Sequence, residues 1–133
     1  MDSDIYLYIL MRTDLASMNS GKGMAQATHA ANQMVFEVQA SNDAVAKAYL
    51  DEWQNQTGAG FGTCIVLGAK IAEIEETIGY AINDGKIGGV VHDPTYPLRD
   101  GEVVHLIPLD TCGYLFGRKD DLAPYLYDLS LHP

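Results

Sequence analysis

Residues 4–40, DIYLYILMRTDLASMNSGKGMAQATHAANQMVFEVQA, carry a strand, a loop and a long helix in that order, and the rest of the chain continues the alternation. Residues 4–11 are rich in strand formers, and RTDLASMNSG reads as a loop with a helix cap at Asn19 or Ser20. From about residue 22 to 40 the period is helical. At about 100° per residue, Met24, Ala27, Thr28, Ala31, Met34, Val35 and Val38 fall on one side. Lys22, Gln26, His29 and Gln33 fall on the opposite side and are expected to share one surface.

Working outward, Val45, Tyr49 and Trp53 recur every fourth residue behind Asn42 and Asp43, which predicts a second helix ending near Gly58. GTCIVLGA (62–69) is a short apolar run that suits a buried strand. Ile71, Ile74, Ile78 and Ile82 mark a third helix closed by Gly85. KIGGVVHD (86–93) predicts a strand ending at Asp93, and PTYPLRDGE (94–102) a loop punctuated by Pro94, Pro97 and Gly101. A strand over 103–116 and a C-terminal helix over KDDLAPYLYDLSL (119–131) complete the chain. The order β-α-α-β-α-β-β-α predicts a three-layer α/β/α sandwich around a four-stranded mixed sheet, the last two strands antiparallel across a short loop.

The 133 residues suffice for one hydrophobic core and are read as a single domain, 1–133. An apolar content of 47% and the absence of low-complexity runs fit a folded protein. The apolar run near the start lacks the basic flank and length of a signal peptide or membrane span, so a cytoplasmic protein with no membrane partner is expected. Cys64 and Cys112 are too few for a disulfide framework and are expected to be buried free thiols. The formal charge of −10, with only eight lysines and arginines, excludes a broad basic nucleic-acid surface. Any RNA contact must be local, with Arg12, Lys22 and Arg99 gathered on one side.

Lys22 lies at the start of a helix, where unpaired N–H groups and an ammonium together favour an anion or a developing oxyanion. It does not belong to a nucleotide-binding phosphate loop, because Ala16 and Gly23 stand where that motif needs glycine and serine or threonine. Gln26 and His29 can position water or a substrate amide; the competing reading is a surface glutamine and a histidine bonded to a loop carbonyl. Asp93 ends an apolar strand, where open α/β sheets present functional groups, although an Asx turn before Pro94 would use the same residue. Close to Lys22, Asp93 would accept a proton from an attacking water. His92, Asp93, His105 and Cys112 match no zinc spacing, and His92 should point away from Asp93 because strand side chains alternate, so no metal is expected.

RTDLASMNSGKGMAQATHAA (12–31) resembles the opening of the type 2 peptidyl-tRNA hydrolases, matching at Arg12, Asp14, Leu15, Gly21, Lys22, Ala25, Gln26, His29 and Ala30. Asp93 matches the aspartate that follows that family's third strand. The threonines that follow there are replaced by Pro94-Thr95-Tyr96-Pro97, with Thr95 left to supply a hydroxyl. The resemblance implies hydrolysis of the ester joining peptide to tRNA, with peptidyl-tRNA as partner, a homodimer, no cofactor and no DNA. It implies catalytic roles for Lys22, Asp93, Gln26 and His29, and substrate contacts from Arg12, Gly21, Thr95 and Arg99. The alternatives are a tRNA- or protein-binding module without turnover, and a hydrolase of another acyl ester.

Overall fold

A computed structural model describes residues 4–133. The elements are β1 (Ile5–Arg12), α1 (Ser20–Ala40), α2 (Ala44–Asn55), β2 (Cys64–Ala69), α3 (Ile71–Asn83), β3 (Ile87–Asp100), β4 (Val103–Arg118), α4 (Lys119–Leu126) and β5 (Ser130–Leu131). They form an α/β fold whose single mixed sheet runs in the order β3-β4-β1-β2-β5. The central β1 lies parallel to β2 and antiparallel to β4. Parallel neighbours need a long crossover, which α1 and α2 provide.

β1 is covered on both faces, which is why its sequence is almost continuously apolar. Ile5, Leu7, Ile9 and Met11 join one core cluster with Ala30, Met34 and Val38 of α1 and Ala46, Leu50 and Trp53 of α2. Tyr8 and Leu10 join a second cluster with Ile74 and Ile78 of α3 and Leu122 and Leu126 of α4. On β4 the same alternation sends Cys112, Tyr114 and Phe116 to the first cluster and Leu115 to the second. Between them, Gly113 lets α3 approach closely: a Cβ there would stand 3.0 Å from side-chain carbons of both Ile74 and Ile78.

Two expectations are corrected. The sheet has five strands, not four: the C-terminal helix stops at Leu126, and Ser130 and Leu131 return to pair with Gly68 and Leu67 of β2. Pro124, which has no N–H to donate, lies inside α4, whose buried residues are Leu122 and Leu126. The second correction concerns 94–102. β3 does not end at Asp93 but continues to Asp100, paired with β4 as far as Asp100 opposite Val103. Proline is tolerated because β3 is an edge strand, and Pro94 falls within a register shift between Asp93 and Tyr96. Gly101, at φ 61°, and Glu102 close the hairpin. Positive φ at the first of two turn residues is the II′ geometry, whose twist suits paired strands and favours glycine.

Candidate active site

The N-terminal part of α1 and the middle of the β3–β4 ribbon build the site. Asn19 caps α1 by accepting from the Lys22 backbone N–H at 2.9 Å. This cap fixes the first turn, and one turn later Gln26 faces the sheet. The helical-wheel expectation is corrected here. Gln26 is 2% exposed and shares the buried face of α1 with Ala30, Met34 and Val38, while Met24 and Thr28 are exposed. A buried amide on an apolar face must find partners, and Gln26 has them.

Its Nε2 donates to Asp93 Oδ2 at 2.7 Å, and its Oε1 accepts from Thr111 Oγ1 at 2.7 Å. The other carboxylate oxygen, Oδ1, accepts from the Thr95 backbone N–H at 2.9 Å and from Thr95 Oγ1 at 3.2 Å. An ionised carboxylate only accepts, so the amide must turn its NH₂ to Asp93 and its carbonyl to Thr111. The chain therefore has one direction, from the Thr111 hydroxyl through Gln26 to Asp93. Asp93 is 8% exposed yet close under the surface. Its partial burial works to raise its pKa, but the hydrogen bonds from Gln26 and Thr95, with a smaller contribution from His29, outweigh that and hold it below the ordinary 3.8. At neutral pH the site contains an oriented carboxylate.

Lys22 is half-buried and does not pair with Asp93; among the described residues no ion pair involves it. Its Nζ lies 5.3 Å from the centroid of the Tyr96 ring. Tyr96 is wholly buried, three positions beyond Asp93 on β3, and its hydroxyl is 2.9 Å from Ser17 Oγ in the loop before α1.

The other residues expected at the site divide. His29 is exposed one turn beyond Gln26, and Gln33 Nε2 donates to the Val90 carbonyl at 3.1 Å. Gly21 is exposed in the first turn of α1, and Arg99 is exposed on the β3–β4 arm opposite Val104. Arg12 is committed to structure: Nε and Nη2 donate to Asp14 at 2.9 and 3.4 Å, and Nη1 to the Asp110 carbonyl at 3.0 Å. Asp14 also accepts from the Ile71 N–H, so this clamp ties the end of β1 to β4 and to the start of α3. The hydrogen bond from Arg12 holds the Asp14 pKa below its ordinary value. His92 is exposed and points away from Asp93, bonding Asp110 Oδ1 at 2.8 Å. Among the described residues no group of three or more His, Cys, Asp or Glu side chains is placed to hold a metal. Cys112 is buried, whereas Cys64, expected to be buried, is exposed.

Thr111 and Tyr96 were not legible as site residues. Thr111 sits between an aspartate and a cysteine in a strand, and only its register beside α1 gives it a role. For Tyr96 the sequence did hold a signal, an aromatic between Pro94 and Pro97, three residues after Asp93.

The chain is thus an α/β protein in which a helix-borne amide orients an ionised strand aspartate, with a lysine one turn away on the same helix, a set of groups able to orient water and exchange a proton. A family model described as peptidyl-tRNA hydrolase PTH2 matches residues 5–93, which spans β1, β2, the first three helices and β3 as far as Asp93. The chain belongs to that family. Among curated proteins none matches. Among solved structures it is similar to a protein of unknown function, Atu0240, from Agrobacterium tumefaciens strain C58, with a TM-score of 0.60 at 9% identity over 98% of this chain and 99% of that one. At that identity the likeness concerns the fold alone. No described helix is long and apolar enough to cross a membrane.

Proposed function

We propose that the protein hydrolyses the ester bond between peptide and tRNA in peptidyl-tRNA, releasing both for reuse. The observation that carries this reading is the Thr111–Gln26–Asp93 chain, which holds an ionised carboxylate in one orientation beside the second turn of α1. Water bonded to Asp93 attacks the ester carbonyl and passes a proton to the carboxylate. The Lys22 ammonium and the N-terminal turn of α1 offset the negative charge that develops on the carbonyl oxygen. The proton then passes to the departing ribose oxygen. A depressed pKa makes Asp93 a weak base, so orienting the water is its larger contribution.

Thr95 holds the second carboxylate oxygen, and His29 lies on the solvent side of Gln26, where it positions the substrate. Gly21 and Arg99 contact the tRNA, with the Arg12 clamp fixing the end of β1 and Asp14 after it. The protein acts in the cytoplasm and needs no cofactor. It works as a homodimer, a reading supported by the exposed Val103, Val104 and Leu106 on the arm. A second reading, a tRNA-binding module without turnover, is favoured by Pro94-Thr95-Tyr96-Pro97 standing after Asp93 where the resembled family carries its threonines. Release of the acyl group from N-blocked aminoacyl-tRNA tests the proposal; a folded protein that binds the acylated tRNA but leaves its ester intact would establish the second reading.

A further inference from the structure

We infer that Tyr96 is a positioning residue that holds the Lys22 ammonium at the mouth of the site through the face of its ring, an inference that rests on Lys22 acting in the hydrolysis proposed above. Three observations meet here. Lys22 has no carboxylate partner among the described residues, so nothing else described fixes the end of its flexible side chain. The ring of Tyr96 lies 5.3 Å from Nζ, within the range where the negative face of an aromatic ring attracts a cation. Tyr96 itself is immobilised: it is wholly buried, and its hydroxyl meets Ser17 Oγ at 2.9 Å. The backbone aims it there, because the register shift between Asp93 and Tyr96 leaves Pro94 and Thr95 unpaired and brings the ring back into the ladder opposite Ile107.

The consequence is kinetic. A lysine left free samples many rotamers, whereas one resting on a fixed ring meets the developing oxyanion without reorganising. A ring holds an ammonium without neutralising it, as a carboxylate would. The charge therefore stays available to the substrate, which explains how Lys22 can serve Asp93 chemistry without pairing with Asp93.

The test uses the whole protein. In the wild type, NMR should show the Lys22 ε-methylene protons shifted upfield by the ring current of Tyr96. The shift should persist in Tyr96→Phe and vanish in Tyr96→Leu. With N-blocked aminoacyl-tRNA, kcat should fall roughly 2- to 30-fold in Tyr96→Leu. KM should change little, and Tyr96→Phe should stay within about twofold of wild type. In a Lys22→Ala background Tyr96→Leu should add nothing further. An unshifted Lys22 methylene in the wild type would overturn the inference without any variant, as would equal losses in Tyr96→Phe and Tyr96→Leu. If Lys22→Ala itself retains full turnover, the proposed mechanism fails instead, whatever the NMR shows.

Discussion

Replacing Gln26 by leucine keeps the volume of a side chain that is 2% exposed and removes both of its hydrogen bonds. A bond to a charged group contributes about 1.5–3 kcal/mol and a neutral one about 0.5–1.5 kcal/mol. Asp93 lies close under the surface, where water recovers part of the loss, so the expected destabilisation is about 2–3 kcal/mol at pH 7. Part of it depends on pH, and its sign follows from Asp93. The folded-state pKa is below the ordinary 3.8, so ionised Asp93 contributes stability that is fully present above that value and lost as pH falls through the folded one. Without Gln26, desolvation and Thr95 remain, the folded pKa rises, and this contribution shrinks. Urea unfolding of wild type and Gln26→Leu at pH 7 and near pH 3 measures the difference. The gap between them should narrow on acidification, leaving the share due to the Thr111 bond. An equal gap at both pH values, or one under about 0.5 kcal/mol at pH 7, would refute the reasoning.

Other consequences can be checked separately. Thr111→Val should lower turnover through Gln26 and destabilise the fold by about 1–2 kcal/mol, because it leaves the buried Gln26 carbonyl without a donor; urea titration and kinetics on one preparation measure both. Alkylation at pH 8 followed by mass spectrometry should label Cys64 alone, slowly because desolvation raises its pKa, while burial pushes the Cys112 thiol up to about 12 and keeps it protonated. Val104→Glu and Leu106→Glu together should shift a dimer towards monomer in sedimentation, and unchanged mass from a dimeric wild type would remove the arm from the interface. Binding of tRNA should weaken steeply with added salt, since phosphate contacts release counterions, and a flat response would contradict the assigned cation contacts.

The succession of elements was legible from the period of the apolar residues, but the buried faces were only partly so: Trp53, Ile74 and Ile78 are buried as expected, whereas Met24, Val45 and Ile82 are exposed and Ala46, Leu50 and Ala81 take the buried positions. Legibility failed where a residue's surroundings come from a distant part of the chain. Pro94 and Pro97 read as loop signals because nothing local reveals that β3 is an edge strand. Gln26 read as a surface amide because a polar side chain on a buried face is recognisable only once Asp93 and Thr111 are placed beside it, 67 and 85 positions away. The same distance hid Thr111. Lys22 and Asp93 stood out in the sequence as candidates, whereas the ring that stands beside the lysine did not.

The most direct measurement is release of the acyl group from N-blocked aminoacyl-tRNA by the purified protein, alongside folded Lys22→Ala and Asp93→Asn variants. The account predicts turnover by the wild type and its loss in both variants, with tRNA binding largely retained. Turnover that survives in both would contradict it, as would a folded wild type that binds tRNA and releases nothing.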